Sequence, residues 1–274
     1  MSWSRRKFIK SGLFLAASAA IADAFYFERF FIEINEFQIG STNSKEPALK
    51  LIQISDLHLT KLSTPLKKLA SKINQLAPDL ILITGDAIDD GTNINLLDQF
   101  LKLIEKSIKK VAILGNWEYW GRVNLEELRA IYKKHNCDLL INQAKQYALK
   151  EKLISVTGID DYVGGNADIE LALENYKKGD FHLVLNHCPE YSDKLAIIKQ
   201  KNINVDLILS GHTHGGQVNL FGIIPFLPQG SGQYVKGWYT DAKKTMYVSK
   251  GIGTSLLPIR FGARAEIAVF HLHI

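Results

Sequence analysis

The sequence predicts an α/β fold, and three observations carry that reading. Short apolar runs alternate with stretches whose apolar residues recur every three or four positions. The runs are continuous rather than alternating, as strands buried on both faces are. No internal repeat, low-complexity tract or linker divides the chain after its first residues, so one domain is expected. Ala48–Ile54, Asp79–Thr84, Val111–Leu114, Phe181–Leu185 and Val205–Leu209 read as strands. Pro65–Leu76, Ile94–Ile108, Leu125–Lys134, Ile169–Lys177 and Tyr191–Lys199 read as helices, with Pro65 suited to a first helical turn. From Val218 the texture changes to Gly, Pro and aromatic residues, then to strand-like Thr245–Ser249 and Glu266–His273. Strand–helix alternation of this kind packs sheets between helices.

Composition narrows the function classes. The 274 residues are 46% hydrophobic and 22% charged, which excludes a disordered or collagen-like chain. Cys137 and Cys188 are the only cysteines, too few for a disulfide scaffold. The net charge of +5 invites a nucleic-acid partner, but residues 1–24 alone carry +3 of it. With no nucleic-acid motif in the rest, none is expected to bind.

The chemistry-bearing residues follow the strands. Asp56-Leu57-His58 ends the first run, and on an extended segment residues two apart point to the same side, so this carboxylate and imidazole can share a cation. Gly85-Asp86-Ala87-Ile88-Asp89 lies about thirty residues on, and Gly115-Asn116-Trp117-Glu118 a further thirty, a spacing of one strand–helix–strand unit each time. Asn186-His187 follows a fourth strand and Gly211-His212-Thr213-His214-Gly215-Gly216 a fifth. Successive parallel strands bring their ends to one sheet edge. Oxygen and imidazole donors gathered there suit Mn, Fe, Zn or Mg, and not the soft metals that thiolates select.

In this order and spacing, Asp56-x-His58, Gly85-Asp86-x-x-Asp89, Gly115-Asn116, Asn186-His187 and Gly211-His212-x-His214 resemble the five signature blocks of the calcineurin-like metallophosphoesterases. The resemblance runs from about Leu49 to the C-terminus, and the tail from Gly251 through Arg260 and Arg264 is similar to a branch of exported or membrane-anchored phosphodiesterases. It implies a four-layer αββα sandwich with two mixed sheets and two divalent ions at their edge. Carried over position by position, Asp56, His58 and His214 hold one ion, Asn116, His187 and His212 the other, and Asp86 bridges them. Asp86, Asn116 and His187 are then catalytic, and a metal-activated hydroxide attacks phosphorus. Asp89 orients a ligand, Glu118 supports the site, and Arg260 and Arg264 are candidate phosphate binders.

The chain departs from the family at Trp117, where most members carry a histidine that assists the leaving group. An indole does no acid–base work. Losing a general acid costs a factor of about 10²–10⁴ when the leaving group is a basic alkoxide, and little when it is a phosphate or phenolate. The expected substrate is therefore a phosphodiester or pyrophosphate, lipid-linked forms included, with a UDP-2,3-diacylglucosamine pyrophosphatase as an alternative function and a non-catalytic metal-binding interaction domain as a second.

The N-terminus reads as an address. Arg5, Arg6, Lys7 and Lys10 precede an apolar run from Leu13 to Ala22, and Ser4-Arg5-Arg6-Lys7-Phe8-Ile9-Lys10 resembles the twin-arginine export signal. Residues 1–24 are expected to be a signal or anchor engaged by the twin-arginine translocation machinery, and residues 25–274 the catalytic domain, periplasmic or on the outer face of the inner membrane.

Overall fold

The computed structural model describes residues 4–40, 48–195, 202–241 and 244–274. Helix α1 (Arg5–Ala22) continues through a π-helical turn (Asp23–Phe27) into the short α2 (Glu28–Phe30). There follow β1 (Glu33–Gly40), β2 (Leu49–Ile54), α3 (Thr64–Leu76), β3 (Leu80–Thr84), α4 (Ile94–Lys102) and β4 (Lys109–Ile113). Next come α5 (Asn116–Trp120), α6 (Leu125–Lys134), β5 (Cys137–Leu139), the hairpin β6 (Gln143–Leu149) and β7 (Lys152–Gly158), and α7 (Ile169–Ala172). The chain ends with β8 (Phe181–Leu185), β9 (Leu207–Ser210), β10 (Gly237–Thr240), β11 (Thr245–Val248) and β12 (Glu266–His273).

The strands form two six-stranded mixed sheets, ordered β1-β12-β2-β3-β4-β5 and β10-β11-β9-β8-β7-β6. In each, a run of parallel strands is flanked by one antiparallel pairing or more: β2 to β5 run parallel beside antiparallel β12, and β11, β9, β8 and β7 run parallel between antiparallel β10 and β6. Side chains alternate between two dry layers, as the period of two requires. Leu80 and Leu82 of β3 face the other sheet, against Leu183 and Leu207, while Ile81 and Ile83 face the layer that holds Leu69, Phe100 and Leu128 from α3, α4 and α6. A third cluster, around Ile169, Val184, Ile208 and Tyr234, covers the outside of the second sheet. The result is the αββα sandwich.

Several elements depart from the sequence reading. The α4 helix stops at Lys102 rather than Ile108, because Asn74 of α3 donates to Leu103 O at 2.9 Å and accepts from Glu105 N at 3.0 Å, satisfying the groups that a further turn would have used. The α7 helix spans only Ile169–Ala172, and Pro189–Leu195 forms a 3-10 helix in place of a helix over Tyr191–Lys199, whose later residues lie outside the described ones. Strands β1, β5, β6, β7 and β10 have no counterpart among the expected strands.

Candidate functional site

Four loops at the C-terminal ends of β2, β3, β8 and β9 make the floor of the site, and they are stitched by their backbones. Asp56 N donates to Gly85 O at 3.1 Å, His58 N to Asp86 O at 3.0 Å, and Gly211 N to His187 O at 3.1 Å. Asp56, His58, Asp86, His212 and His214 all hold left-handed backbone, with φ of 52°, 44°, 51°, 73° and 51°. Each such residue costs about 1–2 kcal/mol, so five together mark loops held in place by their surroundings. Glycine makes the close approaches feasible: a Cβ at Gly115 would overlap Asp86 Oδ1, and one at Gly211 would overlap Ser55 Oγ.

These loops bring two buried groups together. Asp56, His58 and His214 form one, and Asp86, His187 and His212 the other, each with its ligand atoms within 4.8 Å of one another. Asn116 joins the second through Oδ1, 2.9 Å from His212 Nδ1. Asp86 Oδ2 lies 3.2 Å from His187 Nε2 and 3.7 Å from His58 Nε2, so one carboxylate touches a member of each group. Its other oxygen accepts from Trp117 N at 2.9 Å.

The imidazoles are set up to ligate. His187 Nδ1 donates to Thr84 O at 2.7 Å, His212 Nε2 to Gln229 O at 2.7 Å, and His58 Nδ1 is held by Asp89 Oδ1. Each outer nitrogen thus keeps the proton, and the inner lone pair faces the centre. His187 Nε2 is buried and, although Asp86 Oδ2 lies 3.2 Å away, makes no well-aligned hydrogen bond with any described residue. A lone pair orphaned among carboxylates is what a divalent cation would satisfy, and the donors match hard-to-borderline metals. The residues present therefore fit a dinuclear centre.

Electrostatics agree. Burial would raise Asp86, but the neighbouring His187 outweighs it and holds the carboxyl at about 2. Burial would lower His187 and His58, yet Asp86 for the first and Asp89 for the second push both above the ordinary imidazole range. Burial and the His187 charge bring His212 down to about 4, and burial, His58 and Arg260 keep His214 well below its usual value. In the metal-free chain the two raised histidines stabilise the fold below pH 6.5, the ordinary imidazole value, and that contribution is lost as pH rises through their raised values. Metal must displace the same protons, so each one released strengthens binding about tenfold per pH unit. The gap in Tm between metal-loaded and chelator-treated protein should widen from pH 6 to pH 8; a constant gap contradicts this protonation scheme.

The supporting residues fall into place around this centre. The Glu118 carboxylate accepts from Ala87 N at 2.6 Å, Gly115 N at 2.8 Å and Asp86 N at 3.1 Å, tying the β3 and β4 loops together. Trp117 presents its indole edge-on to His58, 6.1 Å between ring centres, and packs on Trp120. Arg260 requires a correction. It is fully buried and donates to the carbonyls of Gly253, Lys250 and Ala263, with Nη2 3.3 Å from His214 Nδ1, so it braces a ligand and offers no free donor to phosphate. Arg264 faces solvent and pairs with Glu33 at 3.5 Å. Thr84 and Gln229 leave no signal in the sequence because they act through backbone carbonyls, which side-chain identity does not reveal. The second lies in the stretch after Val218 where the sequence turns to Gly, Pro and aromatic residues.

The sequence profile of the family described as calcineurin-like phosphoesterase matches residues 49–216, the stretch that contains all seven candidate ligands. The chain belongs to that family. It is 34% identical to the metallophosphoesterase YkuE of Bacillus subtilis, over 98% of this chain and 97% of the relative. A second Bacillus subtilis metallophosphoesterase, YkoQ, is 29% identical over 81% of this chain and 83% of its own length. A transmembrane protein with a metallophosphoesterase domain from Danio rerio is 29% identical over 80% of this chain, which spans about half (52%) of that relative. This phosphoesterase is accordingly a metal-dependent phosphohydrolase with a dinuclear-type site.

Proposed function

We propose that the enzyme hydrolyses phosphodiester or pyrophosphate bonds whose leaving groups depart without protonation. Asp56, His58 and His214 would hold one ion and Asn116, His187 and His212 the other, with Asp86 between them. A pair of divalent ions there supplies Lewis acidity to the phosphoryl oxygens and to water. The observation that carries the substrate class is the side chain at Trp117: the α5 position next to Asn116 holds an indole against His58. All four histidines of the two groups have their nitrogens engaged with one another, with carboxylates, with carbonyls or, at His214 Nδ1, with the Arg260 guanidinium, apart from the inward His187 Nε2. None is left to donate a proton to an alkoxide.

Side-by-side assays of an aryl phosphodiester, UDP-2,3-diacylglucosamine and an alkyl phosphomonoester test the reading. The first two should be cleaved and the third barely. Trp117→His should raise kcat/KM on the alkyl monoester by about 10²-fold or more while changing the aryl diester little. Equal change on every substrate would remove the argument from Trp117.

We also read residues 1–24 as an export signal or anchor, with residues 25–274 acting outside the cytoplasmic membrane. Arg5, Arg6, Lys7 and Lys10 precede the apolar stretch, and a basic head stays on the cytoplasmic side. The helical segment Arg5–Phe30 has a mean hydropathy of 1.5 over its most apolar window, none of it buried. Cell fractionation with sequencing of the mature N-terminus tests this. Protein confined to the cytosol would overturn it.

A further inference from the structure

Beside the metal ligands lies a cleft of about 300 Å³ that the catalytic chemistry does not use. His58 and Asp89 form part of its lining, so it opens directly onto the site. Phe30, Ile32, Leu66, Leu257 and Pro258 give it apolar walls, and Arg29 and Lys61 place two cations at them. Arg29 lies over the Phe30 ring at 4.9 Å, and no carboxylate among the described residues pairs with it or with Lys61. Apolar walls, unpaired cations and a phosphoryl-binding centre in one cleft are the complement of an anionic amphiphile. At about 300 Å³ the cleft is at the small end of ligand pockets, enough for the first part of an acyl chain and not for a whole lipid.

The surroundings say where such a ligand would come from. Large apolar side chains stand exposed around the same loops: Leu256 at 78%, Leu257 at 59%, Phe221 at 99%, Ile223 at 71% and Phe226 at 65%. They belong to one hydrogen-bonded unit with the end of the N-terminal helix. Gln217 Nε2 donates to Ser255 O at 2.9 Å and to Leu257 O at 3.0 Å, and Asn219 N donates to Phe261 O at 2.7 Å. Arg260 N donates to Ala24 O at 2.9 Å, and Gly262 N and Ala263 N both donate to the Glu28 carboxylate at 2.9 Å. The 26-residue segment Arg5–Phe30 is long and apolar enough to cross a bilayer, whose hydrocarbon core is about 30 Å thick. At its domain end Phe25, Tyr26, Phe27 and Phe31 are exposed, the aromatic girdle expected where a helix leaves the membrane. The cleft lining, the segments that carry the apolar tips and the domain end of the N-terminal helix are thus joined to one another.

We propose that this face rests on the bilayer and that the cleft between Phe30 and Leu257 takes the acyl chain of a membrane lipid whose phosphoryl group reaches the metal ligands. The substrate class is then an anionic, phosphate-bearing lipid. Arg29 and Lys61 draw in the headgroup while most of the tail stays in the bilayer. The proposal rests on the phosphoryl-hydrolysis reading above, and its test separates the two.

The full chain is reconstituted in phosphatidylcholine vesicles containing a minority of phosphatidylglycerol. Cysteines introduced by Phe221→Cys or Leu257→Cys are labelled with an environment-sensitive fluorophore, the native Cys137 and Cys188 being buried. Doxyl-labelled lipid should quench both positions and leave a label at Lys133→Cys, on an exposed site of α6, unquenched. This readout needs no activity. In parallel, dihexanoyl phosphatidic acid should inhibit hydrolysis of a soluble aryl phosphodiester at least about tenfold more strongly than glycerol phosphate, which has the same phosphate and no chains. Leu257→Asp should shrink that ratio towards one, while Arg29→Glu should weaken inhibition by both phosphates and leave the ratio standing. Unquenched labels, equal inhibition by the two phosphates, or label burial that follows protein concentration rather than lipid would overturn the proposal, the last by assigning the face to a second copy. No hydrolysis of the aryl diester by metal-loaded protein would instead refute the catalytic reading, with quenching still deciding whether the face meets lipid.

Discussion

Asp86→Ala is expected to lower kcat/KM on an aryl phosphodiester by at least about 10³-fold, a loss of ~4 kcal/mol in transition-state stabilisation. Asp86 lies against an imidazole of each ligand group, 3.2 Å from His187 Nε2 and 3.7 Å from His58 Nε2. Its removal strips a negative charge from between two cation sites and also the acceptor that fixes Trp117 N, next to Asn116. Asp86→Asn keeps that acceptor and the volume but not the charge. It should therefore bind metal better than Asp86→Ala yet stay far below the native rate. Activity of either variant within tenfold of native would mean that Asp86 does not join the two groups.

Glu118→Ala is expected to have the largest effect on stability. The side chain is buried and reaches no substrate position, but it accepts from the backbones of Gly115, Asp86 and Ala87. Each buried donor left unpaired costs about 1–3 kcal/mol, so removal should destabilise by ~3–5 kcal/mol and lower Tm by about 10 °C. Burial and the Asp86 charge raise the Glu118 carboxyl, and the hydrogen bonds from Gly115 N and Ala87 N act against that rise. Glu118→Gln keeps one acceptor oxygen but turns an amide N–H₂ towards other donors, and should fall between the two. Thermal melts of chelator-treated protein isolate the effect from metal binding. A change in Tm within about 2 °C would show that the two loops hold their shape without this carboxylate.

The parts of the fold legible in the sequence were those whose signal is local. Leu80–Thr84 and Phe181–Leu185 are uninterrupted apolar runs because both faces are buried, and such runs announce themselves. Strand β1 does not, since Glu33, Asn35, Glu36 and Gln38 interrupt it and its partner β12 begins at Glu266, so only pairing across the whole chain makes it a strand. Strand β6 is an edge strand with exposed Gln143 and Lys145, which a helix could equally carry. At the site, spacing brought out the residues whose side chains do the chemistry. It could not show that Asp56, His58 and His214 adopt left-handed backbone, nor that Arg260 spends its donors on three carbonyls. Both follow from how loops distant in sequence press on one another, as Gly253 N does on Asp56 O at 2.6 Å.

Metal stoichiometry is the most direct test of the central claim, that two ligand groups joined by Asp86 form one dinuclear centre. Full-length protein purified without chelator and analysed by inductively coupled plasma mass spectrometry should carry about two divalent ions per chain. His214→Ala, which depletes the group containing Asp56 and His58, and His212→Ala, which depletes the group containing Asn116 and His187, should each lower that to about one. A native content below about one ion per chain, or a content that neither variant lowers, would contradict the account.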